Sequence, residues 1–183
     1  MKKILPMGLG LLLASCATTP VQRAPIAEAP AVISNPLTMA AEREAQAKFG
    51  STAIQPGDYR IVPAAAIPKT GPVNVLVSLT NQKTYVYKAG QLVAISTSSH
   101  GVPEHPTDPG HFTILQKQTF HRSNKYSNAP MPFMQRLDKY GRAFHAGVVP
   151  GHPASHGCIR LPAGMAKALY GLTKVGDSVD IEA

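Results

Sequence analysis

Val73-Asn74-Val75-Leu76-Val77-Ser78-Leu79 alternates apolar and other residues, so Val73, Val75, Val77 and Leu79 share one face. That period of two is the pattern of a half-buried β-strand. Asn81-Gln82 can turn the chain into Thr84-Tyr85-Val86-Tyr87, whose β-branched and aromatic residues favour strands. Ala89-Gly90 offers a second turn into Leu92-Val93-Ala94-Ile95. Together these runs predict an antiparallel meander. Downstream, 112–115, 143–148 and 178–181 are further strand candidates. Pro162 can open a helix running to about Gly171, with Met165, Leu169 and Leu172 on one side. The expected fold is mainly β, a sandwich-like mixed sheet with one principal helix.

Upstream of this stretch the composition changes. Many of the 17 prolines precede Pro72, and 51–72 reads as an extended linker. A short helix can occupy 37–49: Asn35 can cap it, Pro36 suits its first position, and Gly50 can end it. Leu37, Ala41, Ala45 and Phe49 fall at i+4 spacing along it, and being short and alanine-rich it is expected either to pack on the main domain or to fray. From 17 to about 36 the chain is rich in Ala, Pro and Thr without hydrophobic period, and reads as a largely extended tether. The expected division is therefore 1–15 as a leader, 16–71 as a tether and 72–183 as the folded domain.

The leader reading rests on Met1-Lys2-Lys3 followed by an apolar run over 4–13. That run is too short to span a bilayer, which takes about 20 apolar residues. Leu13-Ala14-Ser15-Cys16 resembles the bacterial lipobox, in which the cysteine is lipidated and becomes the mature N-terminus. Ala17 after Cys16 resembles the pattern sorted to the outer membrane, so the expected location is the periplasmic face of that membrane, reached through the lipid anchor. The formal charge is +8; without Lys2 and Lys3, Lys+Arg falls from 18 to 16 against 10 acids, or +6. The positive residues form no Lys/Arg run with interleaved aromatics, which argues against a nucleic-acid partner.

Cysteine usage narrows the chemistry. With Cys16 carrying lipid, Cys158 has no disulfide partner, and an exported protein rarely keeps a lone thiol without use for it. All seven histidines lie between His100 and His156. The densest run is His145-Ala-Gly-Val-Val-Pro-Gly-His152-Pro-Ala-Ser155-His156-Gly157-Cys158-Ile159-Arg160-Leu161. A thiol of ordinary pKa, about 8.5, is only partly ionised at neutral pH, so a cysteine nucleophile needs a nearby base. His156 is two residues from Cys158, about 6.6 Å along an extended chain. His145 on a neighbouring strand can approach more squarely. Gly157 permits a tight backbone and close approach of a carbonyl, with amides around Gly157 and Cys158 as an oxyanion site. Arg160 offers a structural anchor or a fork for a carboxylate.

The same atoms can be read as a metal site, His152, His156 and Cys158 with His145 as a fourth ligand. Against zinc hydrolysis, 139–176 holds no Asp or Glu and no His-Glu-x-x-His pattern occurs. Thiol chemistry without a metal or other cofactor is the better reading. His100, His105, His111 and His121 read as loop or strand-surface residues, and His152 as exposed.

Ser155-His156-Gly157-Cys158-Ile159-Arg160-Leu161, with His145 ten positions before Ser155, resembles the signature of the L,D-transpeptidase (YkuD-type) family. Pro106-Thr107-Asp108-Pro109-Gly110-His111-Phe112 and Met131-Pro132-Phe133 with Arg136-Leu137 resemble its flanking segments. The likeness covers roughly 72–183. It implies Cys158 as nucleophile, His145 as base, and His156, Gly157, Ser155 and Arg160 as oxyanion or supporting residues. It implies a thioester with a peptidoglycan tetrapeptide stem, passed to an amine of a second stem, an anchored protein or a D-amino acid. It further implies that a carbapenem acylates the thiol. The alternatives are a carboxypeptidase using the same pair, or a catalytically silent wall-binding lipoprotein. Where many members have Gly after the catalytic histidine, this chain has Ala146, and the loop to Ser155 is short.

Overall fold

The fold is taken from a computed structural model that describes residues 35–183. The expectations for the leader, for Cys16 and for the tether up to residue 34 lie outside the described residues. No helix among the described residues is long and apolar enough to cross a membrane.

The opening stretch forms β2 (Val73–Ser78), followed by β3 (Lys83–Lys88) and β4 (Gln91–Thr97), paired antiparallel as the meander requires. The turn between β3 and β4 has two central residues, Ala89 (φ 49°) and Gly90 (φ 74°). Positive φ at both matches the twist of a two-residue hairpin. β1 (Tyr59–Ile61) extends this sheet beside β4. At its other side, β10 (Ser178–Glu182) runs parallel to β2, and β5 (Gly110–Thr113) runs antiparallel to β10. The second sheet has the order β6 (Gln116–Arg122), β7 (Pro130–Arg136), β8 (Ala143–Ala146), β9 (Ile159–Leu161). Its β8–β9 pair is parallel and the others antiparallel.

Val73, Val75 and Val77 meet Phe144, Ile159 and Leu161 of the second sheet in one apolar core. Met165 and Leu169 of α2 (Ala163–Leu172) complete that core, with Leu172 partly buried against it, on the face that the sequence assigned to them; Ala166 joins them. β2 is not half-buried, however. Leu76 is also buried, packed with Tyr85, Leu92 and Ile95 under Ala41 and Ala45 of α1 (Pro36–Phe49). The first sheet is covered on both faces.

The described part of 16–71 carries the short helix expected there, packed on the domain, and its 51–72 stretch is partly built into the first sheet. α1 is docked, not free, and its buried stripe is Thr38, Ala41 and Ala45, while Leu37 is 53% exposed. Asn35 does not cap with its side chain; its Nδ2 donates to Ala183 O (3.1 Å). Thr38 donates from backbone and hydroxyl to Glu182. Gly50 ends the helix in the left-handed region, as expected. The segment 51–72 supplies β1, and Val62 and Ile67 pack against the main core. Arg60 ties it to the carbonyls of Phe49 and Ser51.

Glu42 anchors α1 by accepting hydrogen bonds from Lys83 Nζ (2.7 Å) and Tyr85 Oη (2.5 Å). Burial opposes ionisation of Glu42, but these bonds prevail and hold its carboxyl below the usual value. Glu42→Ala strands a largely buried tyrosine hydroxyl. It is expected to destabilise the domain by about 2 kcal/mol in urea unfolding; an unchanged midpoint would mean that α1 does not stabilise the sheet.

Candidate active site

Cys158 lies one residue before β9, and His145 is the third residue of β8. The parallel register pairs Phe144 with Ile159 and His145 with Arg160. Extended by one residue, it sets Cys158 beside Ala143, and the thiol donates to the Gly141 carbonyl (3.7 Å). The nucleophile candidate and the base candidate are therefore diagonal neighbours on adjacent strands, with side chains on one face. Both line a groove of about 640 Å³, as do Ser155, His156, Gly157 and Arg160.

The imidazole is oriented from behind. His145 Nδ1 lies 2.9 Å from the Ala146 carbonyl. A carbonyl can only accept, so Nδ1 carries the hydrogen and Nε2 keeps the lone pair that a base needs. Ala146 in place of glycine leaves this bond intact. Gly147 is needed for another reason: a Cβ there would press to 3.1 Å on the Arg160 side-chain stem.

The cysteine loop is held by hydroxyls. Ser155 Oγ donates to Cys158 O (2.5 Å) and accepts from Gly157 N (3.1 Å). Buried Thr107 accepts from Gly101 N and donates to Gly157 O, both at 2.9 Å. Gly157 adopts φ 101°, a region that L side chains rarely enter. Its amide is taken by Ser155, so the Gly157 amide does not face the groove as the oxyanion reading expected. Thr107 was quoted within a motif and given no role; its place between two Pro residues in a turn was the one available signal. Arg160 exchanges backbone hydrogen bonds with Ser99, which locks β9.

His156 is exposed and clusters with His105 (4.9 Å) and Tyr126 (4.6 Å), which also meet each other edge-on at 6.3 Å, along the groove. It does not flank the sulfur as a base would. His152 is exposed too, with Nδ1 on Pro153 O. Among the described residues no three His, Cys, Asp or Glu side chains sit together as metal ligands, so the His152, His156 and Cys158 set is not assembled. His111 pairs with Asp180, and His121 with Gln118; of the four bland histidines only His105 and His121 line the groove.

A positive-φ residue shapes the groove floor. Phe133 (φ 57°) leaves the β6–β7 ladder for one pair, opposite Thr119, without shifting the register on either side. Met131 and Met134 both pack with Ala143 against Cys158, while Phe133 turns into the main core. Phe133 is thus packing rather than groove lining, whereas Tyr126 and Met131 line the groove.

Burial pushes the Cys158 thiol up, and the Ala143 amide with Arg160 and Arg142 offsets only part of that. Burial pushes His145 down, and nearby Arg160 adds to the effect. Both shifts favour the uncharged forms, a neutral thiol and a neutral imidazole, at rest. Iodoacetamide, which reacts with thiolate, should alkylate Cys158 with an apparent pKa above that of an ordinary thiol. A rate that plateaus below pH 7 would contradict the neutral resting state. Catalysis that uses His145 as base should fall as pH drops through a value below 6.5, where the imidazole protonates.

The YkuD L,D-transpeptidase catalytic domain family matches residues 72–181. Among solved structures, an L,D-transpeptidase from Stackebrandtia nassauensis is similar at 26% identity, TM-score 0.57, covering 81% of this chain and 67% of that one. One from Mycobacterium tuberculosis H37Rv is similar at 25% identity, TM-score 0.58, covering 63% and 60%. One from Mycobacterium smegmatis shares the fold at 23% identity, TM-score 0.57, covering 61% and 59%. The chain thus spans about three fifths of the length of the first of these relatives to be matched. Comparison with curated proteins gives no significant match. With 72–181 matched, the chain belongs to the YkuD L,D-transpeptidase catalytic-domain family.

Proposed function

We propose that this protein is a peptidoglycan L,D-transpeptidase that works through a Cys158 thioester. The observation that carries this reading is a free thiol and an imidazole lining one groove, the imidazole's Nδ1 bound to Ala146 O so that Nε2 keeps its lone pair. The donor is a tetrapeptide stem whose third residue is a diamino acid and whose fourth is D-Ala. His145 Nε2 takes the thiol proton as Sγ attacks the third-residue carbonyl. The S–C bond forms, and the Cys158 amide stabilises the oxyanion. The C–N bond then breaks, the imidazolium gives its proton to the leaving nitrogen, and D-Ala departs.

In the second half, an acceptor amine gives a proton to His145 and its nitrogen attacks the thioester. The new C–N bond forms, the C–S bond breaks, and the proton returns to sulfur. The acceptor is another stem, giving a 3→3 link, or a protein lysine, or a free D-amino acid. The groove lining includes Lys125, Arg136, Lys139, Arg142 and Arg160 against Glu104 and Asp138. That positive balance suits a donor bearing several carboxylates. The Leu13-Ala14-Ser15-Cys16 stretch supports a lipid anchor at the periplasmic face of the outer membrane, which would raise the local concentration of wall substrate.

Purified protein incubated with disaccharide-tetrapeptide, its products read by mass, tests the reading. A cross-linked dimer lacking one D-Ala is expected. Tripeptide alone, without dimer, would instead mark a carboxypeptidase.

A further inference from the structure

We propose that Arg136 binds the terminal carboxylate of the donor's leaving residue, and so restricts Cys158 to amides followed by a single C-terminal residue. This rests on the transpeptidase reading above and adds the group that selects the donor's end.

The orientation of Arg136 follows from its neighbour. Gln135 is fully buried and accepts a hydrogen bond from Thr173 Oγ1 just past α2. Successive side chains of a strand point to opposite faces. Arg136 therefore turns to the groove face, where Met134 packs with Cys158.

Its position follows from register. Arg136 pairs with Ala143 across β7 and β8, and Ala143 stands beside Cys158 across β8 and β9. Arg136, Ala143 and Cys158 thus form one row over three strands. At about 4.8 Å per strand, the end residues of this row lie on the order of 10 Å apart. Between them Ala143 presents only a methyl group. His145, one pleat along β8, is the diagonal neighbour of both Cys158 and Arg136.

A scissile amide laid across Ala143 places its carbonyl carbon at the sulfur and its nitrogen under His145. The leaving residue's carboxylate lies one carbon beyond that nitrogen, on the side of Arg136. Arg160 does not offer this geometry, because its stem lies along Gly147, beyond His145 and away from the row.

The charge state of the groove points the same way. Among the described residues the Arg136 side chain makes no ion pair and no hydrogen bond, and its Nε is buried without a partner. Arg142 Nε is likewise buried without a partner, but Asp108 and Asp138 take its terminal nitrogens. An unpaired guanidinium whose Nε is buried and whose terminal nitrogens open to the groove is matched by a planar carboxylate, which it can hold through two parallel N–H bonds.

The test compares a stem tetrapeptide bearing a free C-terminal carboxylate with its C-terminal carboxamide. Acylation kcat/KM is measured for wild type, Arg136→Ala and Arg136→Lys. Wild type should prefer the acid by about 10- to 100-fold, the range of a charge-assisted hydrogen-bonded contact. In Arg136→Ala the preference should collapse toward one, through loss of the acid rate, and Arg136→Lys should keep part of it. Equal wild-type rates on acid and amide would overturn the proposal without any variant. So would an Arg136→Ala variant that slows both donors alike, or a preference that tracks amidation of the third residue's distal carboxylate instead. If wild type is acylated by neither donor, the transpeptidase reading itself fails, and this proposal with it.

Discussion

Cys158→Ala is expected to abolish covalent capture of a carbapenem, leaving the intact protein at its unmodified mass. The wild type should gain one adduct. Among the described residues Cys158 is the free cysteine, and its sulfur opens onto the groove floor made by Met131, Met134 and Ala143. No other residue lining this groove pairs a soft nucleophile with an oriented imidazole. Turnover on peptide donors should vanish with the adduct, because both half-reactions pass through the same S–C bond. The fold should not suffer, since the removed sulfur is only partly buried. An adduct that survives in Cys158→Ala would move the nucleophile elsewhere.

His145→Gln should lower acylation kcat/KM by about 10²- to 10⁴-fold, the range of general acid–base catalysis. Glutamine keeps polar bulk beside Ala146 O but supplies no base. The acid limb of the pH profile, set by a depressed imidazole, should disappear in this variant. Alkylation of Cys158 at high pH should persist, because the thiolate there forms without help. His156→Ala gives the contrast. His156 sits exposed in a cluster with His105 and Tyr126, so its loss should cost less than about tenfold against the range above. A reversed order of the two effects would reassign the base to His156.

The parts of the fold that were legible are those whose chemistry repeats at strand or helix period. Val73, Val75 and Val77 announced β2, and Met165 with Leu169 announced α2. What the sequence hid has local causes. β6 reads Gln-Lys-Gln-Thr-Phe-His-Arg and stays largely exposed, so no apolar alternation marks it. β7 carries Pro130 and Pro132, which argue against a strand. Pro132 is tolerated because β8 pairs only with Gln135 and Arg136, leaving the earlier part of β7 an open edge. β1 and β9 are three residues each, too short for a period to show. Packing of α1 on the domain was one of two outcomes its alanine-rich pattern left open; its anchor was not legible, because it is one carboxylate, Glu42.

The site divides in the same way. Cys158, His145 and their loop could be picked out because a reactive group needs particular neighbours in sequence. Thr107 and Arg136 act through register and loop contacts over long separations, which no local pattern encodes. The Gly157 amide was misassigned because only the fold shows that Ser155 Oγ already takes it.

The most direct measurement is the intact mass of the protein trapped early during reaction with tetrapeptide donor. The account predicts a gain equal to the tripeptidyl acyl group, D-Ala having left, with the label mapped to Cys158 and sensitive to hydroxylamine. A gain that retains D-Ala, a label on any other residue, or product formation with no covalent species at all would contradict it.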